Sequence, residues 1–264
     1  MMNHVNNLNN LNISYNDLTD VKLRHRSGIG IFKSAIWKQS HVSLTVALIL
    51  LEDIPELQNI NHENIMKIYG ITYDSECNKN MLTLQFATNG SLGDCLTRGH
   101  DKFNRKTKLK IAKDIAKGLK YLHENNIIHG DLHPNNIFIE NEGALIANPL
   151  ISKINKRYSS INTTRNMLFY LDPRSFKDPS CPPDYNSDIY SFGVIMWQIF
   201  SCKEPFPNHT NLMNFMYDIL NDKREEPMGD APDEYINLYR RCWSSDLNNR
   251  PSMQEVVSSL MQIS

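Results

Sequence analysis

The residues best placed to do chemistry lie in a polar loop between two apolar segments. In this loop Asp131 is followed five residues later by Asn136, with Ile127 and Ile128 before it and an apolar run at 137–139 after it. A carboxylate in such a loop can accept a proton from a hydroxyl group, and a nearby amide oxygen can bind a magnesium ion. Phosphoryl transfer needs both functions, whereas a turn capped by Asp and Asn is the structural alternative.

The segments around the loop would hold it in place. Residues 106–124 have apolar side chains at three- and four-residue spacing, which predicts a long amphipathic helix leading into the loop. The same kinds of pattern predict strands within residues 21–51, at 65–71 and at 81–86, and a helix at 253–263.

Composition limits the classes of function. The chain has 264 residues, of which 41% are hydrophobic and 22% charged, as in an ordinary globular protein. Its net charge of −1 gives no electrostatic argument for binding nucleic acid or an anionic membrane. The five cysteines show no C-x-x-C spacing, so neither a disulfide framework nor a zinc site is predicted.

The N-terminal sequence lacks the basic and apolar regions of a signal peptide, and the longest apolar runs are too short to span a bilayer. We therefore expect a cytoplasmic protein, with the nucleus as the alternative. Residues 1–16 contain seven asparagines and are predicted to form a disordered tail. Residues 17–264 are expected to form one domain, since no internal repeat is visible in the sequence.

Short motifs occur in order along the chain: N-G-S-L at residues 89–92, H-G-D-L-H-P-N-N at 129–136, Y-L-D-P at 170–173, D-I-Y-S-F-G at 188–193, and C-W with R-P within 242–251. They resemble the motifs of the protein kinase superfamily, most of all its tyrosine-kinase-like group, whose active members usually phosphorylate Ser or Thr. The resemblance covers roughly residues 20–262. It implies an α+β, bilobal fold with a small β-rich N-lobe (17–86) and a larger helical C-lobe (87–264).

The resemblance also implies roles for individual residues. Asp131 is the expected catalytic base, and Asn136 is the expected metal ligand. ATP, with Mg²⁺, is the cofactor of the family. Nucleotide binding is implied for two glycines of a turn, for three residues that would enclose adenine, and for two residues of the hinge between the lobes: Gly28, Gly30, Phe32, Ala47, Phe138, Gln85 and Ala87.

Two positions depart from the kinase pattern in a way that affects chemistry. Ile49 stands where kinases have the lysine that holds the ATP phosphates, and Asn148 replaces the metal-binding aspartate of the D-F-G motif. An apolar side chain cannot replace an ammonium group, and a hard cation prefers a carboxylate to an amide oxygen. ATP binding is therefore expected to be weak and little helped by Mg²⁺.

The regulatory helix of kinases is also expected to be reduced. Only twelve residues separate Ile49 from His62, and Pro55 interrupts them, so a helix there must be short. Asp53 or Glu56 could stand in for the usual glutamate, but neither would find a lysine at position 49. A surface loop with acidic residues is the favoured interpretation of this segment.

These departures leave two functions open. The first is a pseudokinase that acts as a signalling scaffold or weak nucleotide binder, with other proteins, such as a kinase or signalling partner, rather than nucleic acid or membrane as its partners. The alternative is an active or weakly active ATP-dependent Ser/Thr kinase with Asp131 as its base. That alternative needs a relocated ammonium group, as in the with-no-lysine kinases. Lys33 is the candidate, but strand alternation predicts that it points away from the face used by Gly30 and Phe32.

Two further substitutions affect regulation and the C-lobe. Gly130 replaces the arginine that in many kinases pairs with a phosphate on the activation segment, which here is residues 151–168. Arg174 stands where kinases have the glutamate that pairs with Arg250. Because two facing cations would repel, Arg250 needs another acceptor, and Asp172 is the predicted partner.

Overall fold

The structure is a computed structural model that describes residues 12–26, 30–39, 42–51, 59–98, 103–151, 167–207 and 211–264. The predictions for Gly28, Asp53 and Glu56, and those for most of the activation segment, lie outside these residues.

The N-lobe contains a five-stranded antiparallel sheet with the strand order β1-β2-β3-β5-β4. Its strands are β1 (Leu18–Arg26), β2 (Gly30–Gln39), β3 (Val42–Leu51), β4 (Ile68–Asp74) and β5 (Lys79–Gln85).

Both faces of this sheet are apolar, and the strand β3 shows why. Ala47 and Ile49 belong to a buried cluster that also contains C-lobe residues, whereas Val46 and Leu48 belong to a second cluster on the opposite face. Because successive side chains of a strand point to opposite faces, a strand buried on both sides has an uninterrupted apolar sequence.

The folded part of the chain begins earlier than the sequence predicted. Asn12 pairs with Ile71 of β4 in a parallel bridge, and the Ile13 N–H donates to the Ile71 carbonyl at 2.9 Å. Tyr15–Asp17 then forms a 3-10 helix against the sheet. Residues 12–16 are therefore part of the domain and not of the predicted tail.

The C-lobe is mainly helical. The helix α2 packs against α4, α7 and the hairpin β6-β7, and their apolar faces form one continuous core. The elements are α1 (Leu92–Thr97), α2 (Arg105–Glu124), β6 (Ile137–Glu140), β7 (Gly143–Ile146), α3 (Arg174–Lys177), α4 (Tyr185–Ser201), α5 (Leu212–Leu220), α6 (Asp233–Cys242) and α7 (Met253–Gln262).

Local signals set the ends of the long helices. Before α2 the Asn104 side chain accepts a hydrogen bond from the Thr107 N–H at 2.9 Å. Before α4 a capping box joins Asp184 and Ser187, and Cys202 ends this helix in the left-handed region, with φ of 49°. Among the described residues no helix combines the length and apolarity needed to cross a membrane.

The expected α+β fold is confirmed, with one local shift. Strand β4 starts at Ile68 and not at Ile65. Ile65 instead forms a bridge with Ile146 of β7, and the Met66 N–H donates to the Ile146 carbonyl at 2.8 Å. These bonds join the segment before β4 to the C-lobe hairpin β6-β7.

Candidate active site

A single buried carboxylate, that of Asp188, holds the polar loop at residues 129–136 in place. Asp188, in the first turn of α4, accepts hydrogen bonds from the N–H groups of His129 at 2.9 Å and Gly130 at 2.8 Å. His123 Nε2 lies 3.0 Å from the same carboxylate. The loop is therefore positioned by the start of α4 and the end of α2.

His129 and Gly130, which precede Asp131, shape the loop through a ring contact and a backbone conformation. His129 Nε2 lies 3.2 Å from the Ala147 carbonyl, which links the loop to the segment after β7, and burial lowers the pKa of His129. Gly130 has a φ of +67°, a region that side chains with a β-carbon rarely adopt. Glycine adopts this conformation without the steric cost that a β-carbon would add.

Asp131 and Asn136 lie together, as the sequence predicted. The Asn136 amide nitrogen donates to the Asp131 carboxylate at 3.0 Å and to the Asp131 carbonyl at 2.8 Å. The Asp131 side chain is 11% exposed, so a substrate hydroxyl could approach it. Because the nitrogen makes these bonds, the amide oxygen is the only atom of the Asn136 side chain that could bind a cation.

The His133 ring also lies in the loop, next to Asn136 and Asp131. Its Nε2 lies 2.9 Å from the Asn136 amide nitrogen and 3.8 Å from the Asp131 carboxylate. The ring is buried. His133 therefore helps to fix the two residues that chemistry at this loop would use.

The amide that replaces the metal-binding aspartate has a structural role. The Asn148 side-chain oxygen accepts a hydrogen bond from the Leu150 N–H at 3.0 Å, and the Asn148 carbonyl accepts one from the Ile151 N–H at 2.8 Å. Residues 149–151 form a helical turn, so Asn148 caps its start. The oxygen that would face a metal ion is thus already bonded within the fold.

The face of the sheet that would hold a nucleotide is apolar and closely packed. Phe32, Ala47 and Phe138 are all buried in one cluster, as is Ile49, which is 4% exposed. The Phe32 ring also packs against Phe86, with 6.2 Å between centroids. The three residues expected to enclose adenine are thus brought together, but the cluster supplies no cation for phosphate at position 49. These residues do not fit ATP with Mg²⁺ as kinases bind it.

The hinge residues have bonds of their own. The Gln85 side chain donates to the Glu140 carboxylate at 2.6 Å and accepts from the Lys67 N–H at 3.3 Å. Ala87 is buried. Gly30 is the first residue of β2.

Lys33 lies on the other face of the sheet, as strand alternation predicted. Its ammonium group forms an ion pair at 2.5 Å with Asp74, a carboxylate with 0% exposure. Burial alone would raise the pKa of Asp74, but hydrogen bonds from Lys33 and from the side chains of Cys77 and Tyr15 hold it well below its usual range. Lys33 is therefore not available to replace the missing phosphate-binding lysine.

The predicted pairing of Arg250 with Asp172 is confirmed. The Arg250 guanidinium forms a hydrogen-bonded ion pair with the Asp172 carboxylate, and both side chains are 1% exposed. Arg174 binds the same carboxylate at 2.8 Å and Asp184 at 2.6 Å. The two cations therefore share the Asp172 carboxylate, and Asp184 balances the second positive charge.

One of the missed roles had a signal in the sequence. Asn148 is followed by Pro149, and an Asn before a proline is typical of a helix start because proline suits the first helical position. The ring contacts of His133 and the pairing of Asp184 with Arg174 offered no comparable signal, because no periodic pattern specifies them.

Comparison with known proteins agrees with this geometry. The family model described as protein tyrosine and serine/threonine kinase matches residues 37–260. A putative serine/threonine-protein kinase/receptor of Acanthamoeba polyphaga mimivirus is 32% identical over 78% of this chain and 12% of the relative. A probable LIM domain-containing serine/threonine-protein kinase of Dictyostelium discoideum is 31% identical over 80% of this chain and 32% of the relative.

A more distant relative covers more of the chain. A serine/threonine-protein kinase of Arabidopsis thaliana is 24% identical over 94% of this chain and 45% of the relative. The chain therefore spans less than half the length of these three curated relatives. Because the family model covers most of the chain and the bilobal fold agrees with it, the chain belongs to the protein tyrosine and serine/threonine kinase family.

Proposed function

We propose that this domain is a pseudokinase, a kinase fold that serves as a signalling scaffold and binds ATP weakly at most. One observation carries the proposal: both positions that hold the charges around ATP are occupied by side chains the fold itself uses. Ile49 is buried in the apolar cluster of the cleft, and the Asn148 oxygen caps a helical turn. Neither can be turned toward a phosphate or a metal without breaking a contact.

The rate that is lost when charged groups are missing supports an inactive domain. Phosphoryl transfer depends on positioning and on neutralising charge, and removal of one preorganised electrostatic group costs roughly 10²–10³ in rate. The rate losses from the missing lysine at Ile49 and the missing aspartate at Asn148 need not add. Together they leave little of the rate acceleration of an active kinase. Lys33 cannot compensate, since it is paired with Asp74 on the opposite face.

A second function has one favourable observation. Asp131 is partly exposed and hydrogen-bonded to Asn136, as an active catalytic loop requires. This geometry supports the alternative of an active or weakly active Ser/Thr kinase that uses Asp131 as base. The same bonds also stabilise the loop.

The substitution Asp131→Asn separates the two functions. It keeps size and hydrogen bonding while removing the negative charge that a general base needs. For a pseudokinase, phosphate transfer from labelled ATP to a generic substrate stays at background in both the natural protein and the variant, and function in cells is kept. The proposal fails if the natural protein phosphorylates itself or a substrate and the variant, folded to the same melting temperature, does not.

The proposed partners are other proteins, and the proposed compartment is the cytoplasm, with the nucleus as the alternative. Cys77, Cys181, Cys202 and Cys242 are free thiols, which suits a reducing compartment. Fractionation of cells that express a tagged chain tests the location directly.

A further inference from the structure

The charges of this chain are unevenly distributed, although the net charge is close to zero. The helix α2 holds seven of the 28 Lys and Arg residues but only two of the 29 Asp and Glu residues. The remainder of the chain therefore has an excess of acidic residues. This concentration of positive charge on one helix creates a local positive field that the net charge of −1 conceals.

Five of these cations form one line on the surface of the helix, which we call the lysine stripe. They recur at intervals of three and four residues, so they share one face of a helix with 3.6 residues per turn. The apolar residues of α2 that form the core, such as Ile115 and Leu119, lie on the opposite face. From first to last the stripe is about 21 Å long. Its members are Lys106, Lys110, Lys113, Lys117 and Lys120.

The fold satisfies these charges only in part. Lys110 pairs with Asp114 at 2.9 Å and Lys120 with Glu124 at 2.6 Å, both within α2. Lys113 donates to the Ile263 carbonyl at 2.8 Å, which is a neutral partner. In the described part of the chain, Lys106 and Lys117 have no carboxylate within 4.0 Å. The stripe therefore keeps a net positive charge.

We propose that the lysine stripe is a docking surface for an acidic helical segment of a partner protein. A helix that carries carboxylates every three or four residues has the same period as the stripe, so the two rows of charge would match along their length. The surface is independent of the cleft, so the proposal holds for an inactive and an active domain alike.

The residue types and the surrounding charge favour a protein over other polyanions. All five cations are lysines, which act as point charges, whereas recognition of phosphate groups favours the planar fork of arginine. A membrane or a nucleic acid duplex would extend beyond this single row, and outside α2 the chain has six more acidic than basic residues (27 against 21). A narrow acidic helix avoids that repulsion.

A defined probe tests the proposal on the full chain. The probe is a fluorescent alanine-rich peptide with glutamates at the spacing of the stripe, and its control has glutamine at every such position. We expect the natural protein to bind the first peptide alone. Because exposed ion pairs are screened by salt, binding should weaken as salt rises from about 0.05 M to about 0.3 M.

Two variants with the same change in net charge locate the site. The stripe variant carries Lys106→Glu, Lys110→Glu and Lys117→Glu, and we expect its Kd to rise by about tenfold or more. The control variant reverses three exposed lysines outside the stripe, and its Kd should stay within about twofold. The control positions are Lys38, Lys79 and Lys177. Should the stripe variant melt early, changing the same three stripe lysines and the three control lysines to glutamine provides the matched comparison.

Three results would overturn the proposal. These are no binding of the glutamate peptide by the natural protein, equal losses in the stripe and control variants, or tighter binding of single-stranded DNA or phosphatidylserine vesicles than of the peptide. None of them bears on phosphoryl transfer, so a failure here leaves the proposed pseudokinase function to its own test.

Discussion

The substitution Arg250→Ala should destabilise the C-lobe strongly. The guanidinium of Arg250 binds Asp172, and it donates to the carbonyls of Ser244 at 2.8 Å and Asn186 at 3.0 Å. Truncation removes these bonds and leaves a buried carboxylate with one cation fewer. Breaking a buried ion pair from one side costs about 3–5 kcal/mol.

The lower end of that range applies here. Arg174 continues to bind Asp172 through its Nε at 3.1 Å and its Nη2 at 2.8 Å, so the carboxylate is not left without a partner. We therefore expect a loss of about 3 kcal/mol in the free energy of unfolding. For a domain of this size that corresponds to a fall in melting temperature of about 6–12 °C.

Differential scanning calorimetry on the natural protein and two variants measures this effect. Arg241→Ala is the matched control, because Arg241 pairs with Glu255 at 2.7 Å while both side chains are about half exposed, and such pairs contribute about 1 kcal/mol or less. An unchanged melting temperature in Arg250→Ala, or an equal fall in both variants, would refute the reasoning.

Three further predictions concern stability and the cleft. Lys33→Met should lower the free energy of unfolding by about 1–3 kcal/mol, because buried Asp74 loses its cation, while calorimetric titration shows no change in ATP affinity. Gly130→Ala should cost about 1–2 kcal/mol in denaturant melts, because φ at this position is +67°. The folded-state pKa values of Asp74, Asp172 and Asp184 are all below their usual range, so their stabilising contribution is complete above about pH 4 and is lost as pH falls. Because burial lowers the folded-state pKa of His129, the melting temperature should begin to decline as pH falls below about 6.5, and it should fall further below about pH 4 as the three carboxylates are protonated. A profile that stays flat from neutral pH to about pH 3 would contradict this.

Much of the fold followed from local patterns in the sequence. The helix predicted at 106–124 is found at 105–124, because its apolar spacing is regular and Asn104 caps its start. The orientation of Lys33 followed from strand alternation alone. The pairing of Arg250 with Asp172 followed from charge balance, since a buried cation needs an acid close by.

The parts that could not be predicted depend on contacts distant in sequence or on competing bonds. The start of the domain was placed too late because the asparagine-rich composition gave no sign that Asn12 and Ile13 would pair with β4. Ile65 was predicted in β4 but lies outside it, because it forms a bridge with Ile146 of the C-lobe hairpin. The orientation of His133 depends on Asn136, three residues later, in a turn whose geometry no periodic pattern specifies.

Isothermal titration of the purified chain with ATP, first without and then with Mg²⁺, tests the central claim most directly. With Ile49 in the apolar cluster and the Asn148 oxygen capping a turn, we expect a Kd above about 1 mM in both titrations and no gain from the metal ion. A micromolar Kd that depends on Mg²⁺ would contradict the account, because it would require a cation and a metal ligand in the cleft that these two residues do not provide.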